Sequence, residues 1–256
     1  MKYRIAGIFF LAFLTIPAFV TALAQDFQSS GFLTDYSRLQ RNLPGQMIYS
    51  YLASDAPDRM ANYSAVMIDQ PEIFVSPDSQ YKGMKPDDMK QLADAFRNAM
   101  VQELVETYTI VDQPGPNVLY LRFAFSNLQL KKQRRRLMSY TPIGLVVHAV
   151  KSGVTDITSK IDLKGITVEM ELLDSTTEEQ FAALLETRAD TEEEPTSWEE
   201  LEALIVGYAQ RGRCRLDNAR LSEEDRVDCL ARVGSDISQR QISVDDNASD
   251  DGQERQ

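Results

Sequence analysis

Val118-Leu119-Tyr120-Leu121-Arg122-Phe123-Ala124-Phe125-Ser126-Asn127-Leu128-Gln129-Leu130 is the stretch on which the fold turns. Apolar and aromatic residues occupy both its odd and its even positions. An extended chain of that composition has two apolar faces. It predicts a long strand in the middle of a sheet, covered on both sides.

Toward the C-terminus, Lys131-Lys132-Gln133-Arg134-Arg135-Arg136 interrupts the apolar pattern. Thr141 suits an N-cap and Pro142 the first helical position, opening an apolar helix to about Val150 that Gly153 closes. Ile161 to Asp174 reads as the next strand, with Ile166, Val168, Met170 and Leu172 alternating with Thr167, Glu169 and Glu171. Ser175-Thr176-Thr177-Glu178 makes a turn, and Phe181 to Arg188 returns as the second arm of a hairpin. Asp190 to Pro195 is an acidic linker. Ser197 then opens a helix with Glu200 at capping-box spacing and Trp198, Leu201, Leu204, Ile205 and Tyr208 on its inner face. Ser222 opens another, backed by Val227, Leu230 and Val233.

Toward the N-terminus, Tyr108 to Val111 is a short strand stopped by Pro114-Gly115-Pro116. Before it, Pro86 suits a first helical turn, and Asp87 and Asp88 sit where the helix dipole favours acid. Met89, Leu92, Ala93, Phe96, Met100 and Leu104 then recur at helical spacing. Tyr63 to Asp69 is strand-like, and Glu72 to Val75 continues extended. With a helix between them, Tyr63–Asp69 and Tyr108–Val111 form a candidate parallel crossover. The expected fold is α+β: a single mixed or antiparallel sheet of about five strands with helices packed on it, plus a C-terminal helical pair.

The opening residues, 1–24, read as a cleavable export signal. Lys2 and Arg4 precede the apolar run Ile5 to Ile16, Pro17 ends it, and Ala22-Leu23-Ala24 presents small residues for cleavage before Gln25. The run is too short to span a bilayer, and no later run is long enough. The expected organisation is a signal peptide at 1–24, an irregular segment at 25–62 docking on the domain, and an α+β domain at 63–212. A disulfide-stapled helical extension at 213–238 and a disordered acidic tail at 239–256 follow. The net charge of −12 argues against nucleic acid as a partner. In an exported chain the two cysteines, Cys214 and Cys229, are most simply a disulfide.

Candidate chemistry is sparse. His148 is the single histidine and sits in an apolar helical run, which favours a structural role. Glu169 and Glu171 share a strand face; paired carboxylates can do acid–base work, but on an alternating strand they are expected to face solvent. The basic run Lys131, Lys132, Arg134, Arg135 and Arg136 is a possible partner-binding surface for anionic lipid or an acidic protein. Phe32, Tyr36 and Leu39 have helix-like spacing suited to docking on the domain. No residue pattern marks a catalytic, metal or cofactor site.

Three segments carry a family resemblance: Ser30-Gly31-Phe32-Leu33-x-Asp35-Tyr36-Ser37-x-Leu39; Tyr108-Thr109-Ile110-Val111 through Pro114-Gly115-Pro116 to Leu119-Tyr120-Leu121-Arg122; and Val168 to Thr177. They resemble a bacterial family catalogued as a domain of unknown function, DUF3313, mostly envelope lipoproteins. The resemblance implies an envelope protein of unknown activity. Gln25 stands where such lipoproteins carry the lipid-attachment cysteine, so the mature chain is expected to be soluble, periplasmic or secreted. The hairpin turn, often Thr-Gly-Glu in the family, is Thr177-Glu178-Glu179 here. The expected function is a non-catalytic binding or structural module whose partner is another envelope protein or component. The alternatives are a small-ligand or lipid carrier and a carboxylate-dependent hydrolase.

Overall fold

The computed structural model describes residues 27–43, 46–79, 86–130, 161–162, 165–188, 195 and 198–233. The chain is α+β with one mixed sheet. Its strands are β1 (Gln40–Arg41), β2 (Ile48–Leu52), β3 (Ala65–Ile68), β4 (Glu72–Val75), β5 (Thr109–Val111), β6 (Val118–Leu130), β7 (Ile161–Asp162), β8 (Thr167–Asp174) and β9 (Gln180–Thr187). Among the described residues the helices α1 (Ala56–Met60), α2 (Pro86–Leu104) and α3 (Trp198–Asn218) accompany them, with a last short helical stretch at 229–233. The strand order is β1-β2-β9-β8-β6-β3-β5, with β4 and β7 also pairing with β6.

The doubly apolar stretch is the central strand. β8 runs antiparallel along one side of β6, from Leu119↔Asp174 to Ser126↔Thr167. β3 and then β4 run parallel along the other side. β3 also pairs parallel with β5 through Ala65↔Thr109, with α2 as the connection, so the crossover reading holds.

The sheet has more strands than the expected five. Two lie in the segment 25–62, which is not simply irregular: it holds β1, α1 and β2, and β2 pairs with β9 from Ile48↔Glu186 to Leu52↔Ala182. Ile161–Asp174 is not one strand. Gly165 takes φ +68° and Asn127 opposite it takes φ +56°, both left-handed, and Asn127 Nδ2 donates to Gly165 O at 2.9 Å. That kink splits the run into β7, on Gln129–Leu130, and β8. The C-terminal pair also differs. α3 runs on across residue 212, and Ser222 introduces a 3-10 turn, Glu223–Asp225, ahead of a last short helical stretch at 229–233 that carries Leu230 and Val233.

α2 and α3 cover one face of the sheet. Phe96 of α2 meets Phe123 and Phe125 of β6 edge-on, each at 5.0 Å between ring centres. Met100, Leu104, Leu119, Leu121, Leu172, Leu201, Ile205 and Ala209 fill the same layer. Arg213 ties α3 to α2 through the Glu103 carbonyl and Thr107 Oγ1. Arg211 and Arg215 tie it to Glu186 of β9 at 3.3 and 2.6 Å. Cys214, inside α3, is bonded to Cys229 across a Cα–Cα distance of 5.7 Å. This holds the segment after the helix against it.

Candidate functional site

The opposite face of the sheet is built differently. Strand alternation turns Ile166, Val168, Met170 and Leu172 toward the helices, so Thr167, Glu169 and Glu171 point the other way. The solvent-facing expectation for the two glutamates is wrong. Both are 0% exposed. They are covered by residues 27–39, a strap of bends and turns laid across β6, β8 and β9.

Each carboxylate is held by named donors. The Tyr36 hydroxyl donates to Glu169 Oε2 at 2.5 Å, and the Ser126 hydroxyl donates to Glu169 Oε1. Glu171 Oε1 accepts the Thr34 N–H at 2.8 Å and Gln180 Nε2 at 2.6 Å. Its other oxygen accepts Arg122 Nη1 at 3.1 Å. Arg122 stacks over the Phe32 ring at 4.7 Å and also reaches Glu72 at 3.5 Å. Every one of these partners donates, so both carboxylates serve as acceptors throughout.

The local sequence explains the strap's shape. Gly31 has φ +87°, a backbone setting that side chains disfavour. It lets the chain curl so that the Tyr36 hydroxyl accepts the N–H groups of Phe32 and Leu33 at 3.0 and 3.1 Å. Asp35 accepts both the N–H and the hydroxyl of Ser37, an Asx turn. The Ser37 groups, with Arg38 beside them, hold the Asp35 carboxyl below the ordinary range. Arg38 then reaches Gln180 Oε1 at 2.6 Å and the Tyr51 hydroxyl at 2.9 Å, and lies over the Tyr51 ring. Phe32, Leu33 and Leu39 join Tyr49, Ala124, Ala183 and Leu185 in a small second core. Phe32, Tyr36 and Leu39 therefore face the sheet together without forming a helix.

A pocket of about 170 Å³ opens where Gln28, Ser29 and Ser30 pass Phe74 and Val75, with Ser126 in its wall. At the far end of β8, Asp174 anchors the hairpin turn. Its carboxylate accepts the N–H groups of Thr176 and Thr177 at 2.8 and 2.7 Å and the Tyr63 hydroxyl. Burial works to raise its pKa, but the Tyr63, Thr177 and Thr176 donors prevail and hold it well below the usual carboxylate range. Burial and the same carboxylate push the Tyr63 hydroxyl up to about 12. Glu178 takes φ +58°, so the turn places a non-glycine residue in the left-handed region.

Lys131, Lys132, Arg134, Arg135, Arg136 and His148 lie outside the described residues, as do residues 1–24 and 239–256. Residues 25–26 fall outside them too. Ser126, Arg122, Gln180 and the Tyr36 hydroxyl escaped the sequence reading as partners of the glutamates. Tyr36 was legible only as an aromatic at docking spacing.

The family model described as "Protein of unknown function (DUF3313)" matches residues 28–211. The chain belongs to the DUF3313 family. The DUF3313 match starts in the strap and ends inside α3, so strap, sheet and helices fall within one family unit. A search of the curated proteins finds no match. Among solved structures, the DUF3313 chain is similar to a PelC dodecamer from Paraburkholderia phytofirmans at 11% identity. That likeness covers 57% of this chain and 85% of that one, with a TM-score of 0.30. It is similar to a DUF4136 family protein from Bacteroides thetaiotaomicron at 11% identity, covering 64% and 93%, with a TM-score of 0.33. It is also similar to a putative neuraminyllactose-binding hemagglutinin homolog from Helicobacter pylori at 7% identity, covering 70% and 90%, with a TM-score of 0.29. Likeness at this level assigns the DUF3313 chain no activity.

Proposed function

We propose that this DUF3313 protein is an exported, non-catalytic module of the bacterial envelope that works by binding another envelope protein or component. The observation that carries the reading is the state of the paired carboxylates. A general acid or base must reach the proton it moves. Glu169 and Glu171 are instead buried and occupied by strap, strand and arginine donors. Their geometry is that of an internal fastening. The layer between sheet and helices, where a carrier would hold its ligand, is filled by packed side chains such as Phe96, Met100 and Phe123. A disulfide suits a periplasmic or secreted location. Among the described residues no helix is long and apolar enough to cross a membrane. The basic run Lys131 to Arg136 supplies charge for an acidic partner.

Photo-crosslinking in the native envelope tests the reading. A photoreactive residue is placed at each of Leu43, Met47, Val105, Leu221 and Val227, all exposed. The expected result is a discrete adduct with one identified envelope protein or component from a contiguous subset of positions. Absence of any adduct, together with substrate turnover that Glu169→Gln and Glu171→Gln abolish, would overturn the reading in favour of a hydrolase.

A further inference from the structure

The face beneath the strap has a composition that a permanently dry surface does not need. Glu169, Glu171, Gln180, Ser126 and Thr167 are each 5% exposed or less, and Arg122 reaches into the same cluster. Buried carboxylates cost free energy unless fully paired, and apolar residues of similar volume would close the face more cheaply. The same side chains are well solvated when the face is open. The strap, for its part, adds no strand to the ladder among the described residues. It meets the sheet through the Tyr36 hydroxyl, the Thr34 N–H, the Phe32 ring and the Arg38 guanidinium, and through the small apolar contact of Leu33 and Leu39. Phe27 packs on Tyr49 at 4.8 Å between ring centres, and the next residues, Gln28 to Ser30, border the pocket beside Ser126.

Resting on the binding-module reading, we propose that the strap is a displaceable cover and that the face beneath it binds an extended polypeptide segment of a partner. The strap's own contacts define what such a segment brings. Glu169 takes a hydroxyl donor, where Tyr36 now sits at 2.5 Å. Glu171 takes a main-chain N–H, where Thr34 now sits at 2.8 Å. The Arg122 guanidinium takes an aromatic ring, now Phe32 at 4.7 Å. Gln180 Oε1 and the Tyr51 ring take a guanidinium, now Arg38. A peptide supplies all four along one chain. A lipid or a glycan brings neither the guanidinium for Gln180 and Tyr51 nor the aromatic ring for Arg122, and two carboxylates in the floor repel a nucleic acid. The binding mode is recognition by side-chain donors on a sheet face, distinct from strand addition at an edge.

The test uses the full-length chain and a fluorescein-labelled synthetic peptide of residues 27–39 as the probe. Tyr36→Phe removes the donor on Glu169, and Thr34→Pro removes the donor on Glu171; both changes lie in the strap and leave the sheet residues intact. Apparent affinity scales with the fraction of molecules whose face is open. The expected result is therefore peptide binding to each variant about tenfold tighter than to the unaltered chain. Adding Glu171→Ala to Tyr36→Phe abolishes that gain. In the unaltered chain, strap amides exchange with solvent ahead of those in β6 and β8. Peptide that binds neither variant while circular dichroism shows both folded would overturn the proposal, as would strap amides that exchange only together with β8. Peptide binding without any captured envelope partner supports the site and sinks the envelope-binding reading; a captured partner without peptide binding does the reverse.

Discussion

The two faces of this sheet are both covered, and by different means. On the helix side, β6 and β8 present Leu121, Phe123, Val168, Met170 and Leu172 to α2 and α3, and closure is apolar contact. On the strap side, the same two strands present Arg122, Ser126, Glu169 and Glu171, and closure combines directed hydrogen bonds with a much smaller apolar core around Phe32, Leu33 and Leu39. Apolar packing is non-directional and sums over many contacts. Directed bonds fail one at a time. The helix side should therefore set global stability, and the strap side should open on its own.

The largest effect should come from emptying the helix side. Phe123→Ala leaves a cavity against Phe96, at a cost of about 3–5 kcal/mol, read as a shift of the whole urea transition. If only the strap loosened in that variant, the division between the faces would be wrong. Glu171→Ala comes next. It strands Gln180 Nε2 and the Thr34 N–H and leaves Arg122 to Glu72, which costs about 1–3 kcal/mol, the lower end applying where water enters the opened face. Limited proteolysis should cut the strap first, before any loss of helical circular dichroism.

The hairpin turn, outside both faces, gives a pH test. Burial acts to raise the Asp174 pKa, yet the Tyr63, Thr177 and Thr176 donors leave the folded value below the ordinary one. A depressed folded pKa contributes stability above the unfolded carboxylate value and loses it as pH falls toward the folded value. The urea midpoint of the unaltered chain should therefore exceed that of Asp174→Asn at neutral pH, and the gap should narrow on acidification. A gap independent of pH would show that Asp174 acts by shape alone. The smallest effect is a gain. Glu178→Gly relieves a left-handed residue on an exposed turn and should add about 1 kcal/mol to stability.

Much of the architecture was legible because it is periodic. The α2 stripe from Leu92 to Leu104, the β6 run and the β8–β9 hairpin all follow from spacing within a few residues. β1 and β2 were not legible. Gln40–Arg41 is too short and polar to announce a strand, and Ile48-Tyr49-Ser50-Tyr51-Leu52 becomes one by pairing with β9, far along the chain. The break between β7 and β8 hinges on two left-handed residues, one of them an asparagine on the opposing strand.

The candidate site shows the same limit most sharply. By itself the sequence determined that Glu169 and Glu171 share a face, because successive strand side chains alternate. It could not say what lies over that face. Tyr36 and Glu169 are 133 residues apart, and Thr34 and Glu171 are 137 apart. Periodicity reports neighbours on one element and is silent about contacts between elements so distant in the chain. Only the tertiary structure turned a solvent-facing pair of acids into the fastening of an N-terminal cover.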